Sequence, residues 1–403
     1  MKILFVADVS IQSVIGGAER VLFEQTTRLA ARGHKIHVLT RRLPEHENEH
    51  AIIQGVREWR YKIDYKNALT FFISTLMNGK TRFEEILTTY GCDYINFHQP
   101  FSAFAVQRSA SCRPLKKIYT CLSFAFEEYK SRNVKPHSLH GRIAHALHIS
   151  SRRWIERKAL RQSDRIVALS RFTCDKLLQV YGYKNDDITM IPAGVDLKRF
   201  HPAVDKRTVR ERLGLPKDKM ILLTVRNLEP RMGLENMIRA MREVVKSLSE
   251  IILIIGGAGP LKEDLELLSH RLDLRSYIQF MGFIPEDDLP DYYRAADLFI
   301  LPTVELEGFG LIALEAMASG TPVLGTPVGG IIDILGNFER GFLFADTTPE
   351  SISSLTVKLG KAYRRDPNHW QADSQRCRQF AETNYSWDRN VSAMERLFLE
   401  EMT

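Results

Sequence analysis

Two glutamates eight residues apart, Glu307 and Glu315, flank the start of an apolar segment in which Gly308-Phe309-Gly310-Leu311 runs into Ile312 to Ala318. Glycines at such a place let a ligand approach the backbone, and the N–H groups of a first helical turn favour an anion such as phosphate. A diphosphate suits the amides of Phe309, Gly310 and Leu311. One glutamate falls in the loop and the other about two turns into the helix, so they can address different parts of one elongated ligand. Taken singly, Glu307 is a helix cap and Glu315 a solvated helical residue.

A second cluster is Arg226-Asn227-Leu228-Glu229-Pro230-Arg231-Met232-Gly233. Two guanidinium groups five apart in a strand-to-helix loop can clamp one leaving diphosphate, because each offers several fixed donors. Either one alone is an ordinary surface charge. Two glycine loops, Gly256-Gly257-Ala258-Gly259-Pro260 and Gly16-Gly17, follow predicted strands, as in many α/β folds. His98 follows the predicted strand Tyr94 to Phe97 and is a candidate for a polar contact with a substrate, against an ordinary loop histidine.

These residues need strands and helices to hold them. Ile3 to Ala7, Gly16-Gly17, Ala18 to Arg32 and Lys35 to Thr40 read as strand, glycine loop, helix and strand, a βαβ unit. Tyr94 to Phe97, Lys117 to Cys121 and Arg165 to Leu169 are further strands, the last followed by Ser170 as a helix cap. The pattern breaks at Pro192, Gly194 and Pro202, then restarts with strands at Met220 to Val225, Ile251 to Ile255, Tyr277 to Met281 and Leu298 to Leu301. Ala313 to Ala318 reads as helix, Thr321 to Gly325 as strand, and the tail from Ser386 as a terminal helix. The expectation is an α/β chain of two Rossmann-like domains with parallel sheets facing an interdomain cleft. The domains span 1–196 and 197–385, and 386–403 forms a helix returning to the first.

Length and composition agree. The chain has 403 residues, 44% apolar and 26% charged, which is ordinary for a soluble protein of about two domains. Five scattered cysteines point to neither a disulfide framework nor a zinc site. Without a long apolar run, a cytoplasmic location is expected. The charge is lopsided: residues 1–200 carry +13 and residues 201–403 carry −6. Between Lys130 and Arg171 stand 11 basic and two acidic residues. That segment is either a solvated basic face or an attraction for an anionic membrane, with peripheral binding at its inner face. Nucleic acid is not the expected partner, since no nucleic-acid motif accompanies the charge.

Together the pieces resemble the large family of retaining GT-B glycosyltransferases often called group 1, which are glycosyltransferase family four-like. The resemblance rests on the paired glutamates, Arg226 with Arg231, Gly257-Ala258-Gly259-Pro260, Gly282-Phe283-Ile284, Ile191 to Asp196 and Tyr385-Ser386-Trp387. It covers nearly the whole chain. The resemblance implies transfer of a hexose-type sugar from a nucleoside diphosphate sugar, UDP more than GDP, to a glycan or lipid-linked acceptor, with no metal or other cofactor. It assigns Glu307 to donor-sugar hydroxyls, Glu315 to the ribose, and Arg226 and Arg231 to the diphosphate. The backbone of Gly308, Phe309, Gly310 and Leu311 shares the diphosphate, Gly16, Gly17 and Gly257 contribute to the same ligand, and the backbone near Phe283 and Ile284 meets the base.

Two departures stand out. Such enzymes usually have a lysine directly followed by glycine where this chain has Arg231-Met232-Gly233, and Leu122 stands where a histidine is common. A catalytically impaired nucleotide-sugar binder, another GT-B enzyme such as a phosphorylase or epimerase, and a nucleic-acid-binding protein are the alternatives. No pyridoxal-binding lysine context supports a phosphorylase.

Overall fold

Strand β1 (Lys2–Val6) is apolar from Ile3 onward, and a strand of that kind needs cover on both faces. Ile3 and Phe5 join one core cluster with Leu22 and Leu29 of helix α1 (Gly17–Ala31), whereas Leu4 and Val6 join another with Phe83 and Phe97 on the opposite face. The computed structural model describes residues 1–14, 16–133 and 136–400. Its two compact units are Met1–Ala193 with the chain from Trp387 onward, and Gly194–Ser386.

In the first unit, β1 is central in an eight-stranded sheet. The other strands are β2 (Lys35–Arg41), β3 (His50–Ile53), β4 (Val56–Tyr61), β5 (Tyr94–Phe97), β6 (Lys116–Cys121), β7 (Arg165–Ala168) and β8 (Ile188–Met190), in the order β3-β4-β2-β1-β5-β6-β7-β8. The chain leaves β1 toward β2 and returns to β1's other side as β5, so the strand order reverses at the carboxyl ends of β1 and β5. Ligands of open α/β sheets gather at such a point. Helices α2 (Ala68–Tyr90), α3 (Pro100–Gln107), α4 (Ala125–Arg132) and α5 (Leu139–Arg161) follow. The carboxyl-terminal helix Trp387–Glu400 belongs to this unit. Its Val391, Met394 and Phe398 share the cluster of Ile3 and Phe5, and Asn390 accepts from Gln25 Nε2 at 3.1 Å and donates to the Pro192 carbonyl at 2.7 Å.

The second unit has a five-stranded sheet of β9 (Met220–Val225), β10 (Ile251–Gly256), β11 (Ile278–Gly282), β12 (Leu298–Leu301) and β13 (Val323–Gly325), ordered β11-β10-β9-β12-β13 with every pairing parallel. Helix Leu234–Ser247 buries Leu234, Met237, Ile238, Met241 and Val244, a one-sided stripe that packs on the sheet. Here the order reverses between β9 and β12.

Three features differ from the expectation. β3 pairs antiparallel with β4, so the first sheet is not wholly parallel. Gln54 and Gly55 connect them with φ of 44° and 84°, the left-handed pair that a two-residue hairpin requires. The short edge strand β8 was also not anticipated. Ser170 caps its helix as expected, accepting from the Thr173 N–H at 3.1 Å. Gly194 to Asp196, expected in the first domain, lie in the second unit, where the Val195 N–H bonds the Tyr385 carbonyl at 2.7 Å.

Candidate functional site

The ends of β9 and β12 are neighbours because Leu222 and Leu223 pair with Leu298 and Phe299. Arg226 is the first residue beyond β9, and its guanidinium is buried. Nη2 meets Glu307 Oε2 at 2.5 Å and Nη1 donates to Thr303 Oγ1 at 2.6 Å, while Nε finds no partner among the described residues. Arg231, in the single turn Pro230–Met232, donates from Nη1 to the Leu306 carbonyl at 2.8 Å and from Nε to Glu229 at 3.3 Å. Its own carbonyl accepts from the Val304 N–H at 2.9 Å. Both arginines therefore bond to the loop 302–307, which holds each in place before any ligand arrives.

That loop is sterically determined. Leu306 has a φ of 55°, and the Glu307 carbonyl accepts from the Gly330 N–H at 2.8 Å. A Cβ on Gly329 would lie 2.0 Å from that carbonyl oxygen, so only glycine permits the approach. Gly308 precedes Phe309, whose ring is buried edge-on against Tyr385 at 6.0 Å and whose backbone packs so closely on Gly330 that a Cβ there would stand 2.5 Å from the Phe309 carbonyl oxygen. Gly310, at a φ of 99°, opens helix Leu311–Ala318, and among the described residues no side chain caps that start. An uncapped first turn beside two guanidinium groups is a place for a doubly charged anion.

Glu315 is not the solvated helical residue of the plain reading. It is 7% exposed and accepts from the Tyr293 hydroxyl at 2.9 Å. Burial, then the carboxylate beside it, pushes the Tyr293 phenol well above its ordinary range. Glu307 likewise faces Arg226 rather than serving as a simple cap. Gly257 lets β9, β10 and β11 meet backbone to backbone: its N–H donates to the Gly282 carbonyl at 2.6 Å, and a Cβ there would stand 1.8 Å from the Arg226 carbonyl oxygen. Just beyond β11, Phe283 is exposed while Ile284 is buried against Gly256.

The first unit's predicted residues gather at the ends of its own strands. Gly16 and Gly17 open α1, where the Glu19 carboxylate takes hydrogen bonds from the N–H groups of Gly16 and Glu19, and burial raises its pKa. His98 directly follows β5 and is 2% exposed. Neither ring nitrogen has a partner among the described residues, Phe5 lies edge-on at 5.6 Å, and burial pushes the imidazole pKa down to about 3. Nearby, Asp8 donates its N–H to Gln99 Oε1 at 2.8 Å and accepts from the Ser102 N–H at 3.1 Å.

Residues 205–368 match the family described as Glycosyl transferases group 1, and residues 15–199 match Glycosyltransferase Family 4. The chain belongs to the group 1, family 4-like glycosyltransferases. It is similar to D-inositol 3-phosphate glycosyltransferase 2 of Catenulispora acidiphila, 32% identical over 50% of this chain and 49% of that one. It is also similar to a GDP-mannose-dependent alpha-(1-6)-phosphatidylinositol monomannoside mannosyltransferase of Mycolicibacterium smegmatis, 30% identical over 58% of this chain and 62% of the other. The match thus spans about half to three fifths of the length of these relatives. Sucrose-phosphate synthase of Thermosynechococcus elongatus shares the GT-B fold, with a TM-score of 0.83 at 22% identity over 100% of this chain and 99% of that one.

In this chain the two departures have physical accounts. Met232 is a core residue of the second unit, and Gly233 turns the chain at a φ of 72° where a Cβ would strike the Pro302 carbonyl at 1.8 Å. The extra residue therefore fills the core while Arg231 keeps its grip on Leu306. Leu122 is half-buried just past β6. β5 and β6 pair at Phe97 and Tyr119, so His98 stands at the end of the adjacent strand.

Sequence reading missed three supports. Thr303 orients Arg226, and Tyr293 holds Glu315. Glu58, fully buried on β4, accepts from Ser10 Oγ at 2.8 Å and the Ile11 N–H at 2.7 Å and pairs with Arg60 at 2.7 Å, tying the loop after β1 in place. Thr303 lay inside the informative segment. The other two gave no local signal.

Proposed function

We propose that this protein is a retaining, metal-independent glycosyltransferase that moves a hexose-type sugar from a nucleoside diphosphate sugar to a hydroxyl of a glycan or lipid-linked acceptor. The observation that carries this reading is the Arg226–Glu307 pair, locked by Thr303 and placed with Arg231 beside the Gly310 helix start. Negative charge grows on the departing diphosphate as the anomeric bond breaks, and preorganised donors stabilise that charge without reorganising. The acceptor oxygen forms the new bond, and its proton passes to the leaving phosphate oxygen on the same face, so no strong enzymic base is needed.

In this assignment Glu307 orients donor-sugar hydroxyls, Glu315 takes the ribose, and the backbone beside Phe283 and Ile284 meets the base. His98 offers its neutral imidazole to a hydroxyl. UDP is the first choice of nucleotide, and the GDP-mannose-dependent relative makes GDP the second to test. The acceptor is a lipid-linked glycan precursor at the cytosolic membrane face, which would account for the +13 charge of residues 1–200. Leu122 motivates one other reading, a nucleotide-sugar binder without transfer.

The deciding experiment is a thermal-shift panel of UDP- and GDP-sugars followed by detection of released nucleoside diphosphate. One donor is expected to raise the melting temperature with the logarithm of its concentration and to be turned over. Stabilisation without release would support the binder instead, and no stabilisation by any donor would end the proposal.

A further inference from the structure

Exposed apolar side chains concentrate on two helices of the first unit. On α5, Leu139, Ile143, Leu147 and Trp154 are 70%, 53%, 65% and 51% exposed. At 3.6 residues per turn they fall within an arc of roughly 80°, a single stripe. On α2, Leu69, Ile73 and Met77 repeat the pattern at intervals of four, and they too are exposed. The stripes are linked across α3, where the Phe104 ring lies 5.5 Å from Trp154 and 6.2 Å from Phe72. A helix face of this kind on a water-soluble surface marks an interaction site rather than scatter.

The exposed charge on α5 is of one sign. Helix α5 carries six Lys and Arg residues and a single acid, Glu156, which is fully buried and accepts from the Tyr181 hydroxyl and the Ala125 N–H. Arg142, Arg153, Arg157, Lys158 and Arg161 border or overlap the apolar arc on the helical wheel, and Lys158 Nζ lies 6.0 Å from the Trp154 ring centre. Val134 and Lys135 of the basic segment lie outside the described residues. A second copy of the chain docked face to face would bring the same cations together, because a two-fold contact pairs a patch with itself. A surface of lipid phosphates answers both halves of the pattern: it neutralises the cations, and its acyl boundary takes up the stripe.

We infer that α5, with the first turns of α2, is an interfacial anchor whose apolar stripe enters an anionic bilayer. Trp154 sits at the headgroup level, where tryptophan is favoured. This goes beyond charge attraction to the basic segment, which salt would abolish. No helix among the described residues is long and apolar enough to cross a membrane, so the contact is with one leaflet. The inference gives a place to the membrane-linked acceptor proposed above and rests on that reading only for its purpose.

The test uses the full chain with sucrose-loaded vesicles of phosphatidylcholine, with or without about one third phosphatidylglycerol, at about 0.1 M and roughly 0.5 M salt. The expected result is partition onto anionic vesicles with a blue shift of Trp154 emission, identified by its loss in Trp154→Phe. The double variant Ile143→Ser/Leu147→Ser loses about tenfold or more in partition at both salts. Arg142→Gln and Lys158→Gln each lose roughly fivefold, at low salt only. Nucleotide-sugar thermal shifts are expected to be equal in all these surface variants and the parent, so a failure here is separable from a failure of the donor reading. A double variant that partitions like the parent would overturn the anchor. So would Trp154 emission unmoved by vesicles, or a parent dimer that the double variant dissociates without any vesicle binding.

Discussion

The strand ends of the two sheets hold opposite kinds of polar chemistry. In the second unit, Arg226 and Arg231 are clamped by Glu307, Thr303 and the Leu306 carbonyl. In the first, the polar groups buried at the reversal of strand order are Asp8, whose carboxyl pKa burial raises, and His98, an imidazole without a partner among the described residues and held neutral by burial. Opposed charges fixed in advance suit a ligand that arrives ionised and leaves more so. A neutral, desolvated ring suits a hydroxyl, which brings no charge and needs one donor or acceptor. On the proposed function this difference would divide a leaving-group site from a hydroxyl-binding site by electrostatics, and substitutions can break it.

The largest effect is expected from Arg226→Ala. In the proposed assignment it removes a diphosphate donor, and it strands the Glu307 carboxylate, so kcat/KM should fall about a thousandfold, with a loss of stability as well, since an unpaired, partly buried charge is costly. Arg226→Lys keeps the charge but cannot reach Thr303 and Glu307 together, so it should recover only part of the loss. Steady-state release of nucleoside diphosphate, with unfolding curves alongside, checks both. An Arg226→Ala enzyme of normal turnover would erase the distinction between the two strand ends.

Glu315→Ala comes next. Hydrogen bonds to a charged group contribute about 1.5–3 kcal/mol, so nucleotide affinity should drop roughly tenfold to a hundredfold. Tyr293→Phe, which leaves the carboxylate but loses its orienting hydroxyl, should cost less than tenfold. Titration calorimetry with the nucleoside diphosphate alone measures both without an acceptor.

His98 sharpens the comparison through pH. Its folded pKa of about 3 lies below the ordinary 6.5 of histidine. As pH falls below 6.5, the unfolded chain takes up a proton that the folded chain refuses, so stability present at neutral pH is lost toward pH 3. Each pH unit costs about 1.4 kcal/mol. At pH 5, His98→Phe should recover roughly 2 kcal/mol relative to the parent's loss from neutral pH, read from urea midpoints at the two pH values. An unchanged acid limb would mean that the ring is not dry, and the contrast with the arginine site would weaken.

How much of this was legible depended on whether the chemistry was local in the chain. Glu307, Gly310 and Glu315 sit in one strand-turn-helix segment, so spacing exposed them. Thr303 and Tyr293 act on Arg226 and Glu315 from 77 and 22 residues away, and only the fold brings them near. The β3–β4 hairpin did carry a signal: Ile53 and Val56 flank Gln54-Gly55, a two-residue turn. It passed unnoticed because β3 is only four residues long and Gln-Gly is a weaker hairpin signal than Asn-Gly or Asp-Gly. The α5 stripe is a different failure. Its apolar period is visible in sequence, but a periodic helix reads as one that faces a core. Whether anything covers that face is a property of the assembled unit.

The smallest expected effect concerns α1. Its first turn would bind phosphate, yet the Glu19 carboxylate already accepts from the Gly16 N–H. Burial raises the pKa of that carboxyl, so a bound anion close by would favour its protonation or its displacement. Glu19→Ala should therefore tighten nucleotide binding a few-fold if this helix start receives a phosphate oxygen, because an anion no longer competes for the same donors. Glu19→Gln, which is neutral but can still accept, should fall between the two. If both variants bind nucleotide as the parent does, Gly16 and Gly17 do not touch the diphosphate, and the contrast between a charged strand end and a neutral one becomes sharper still.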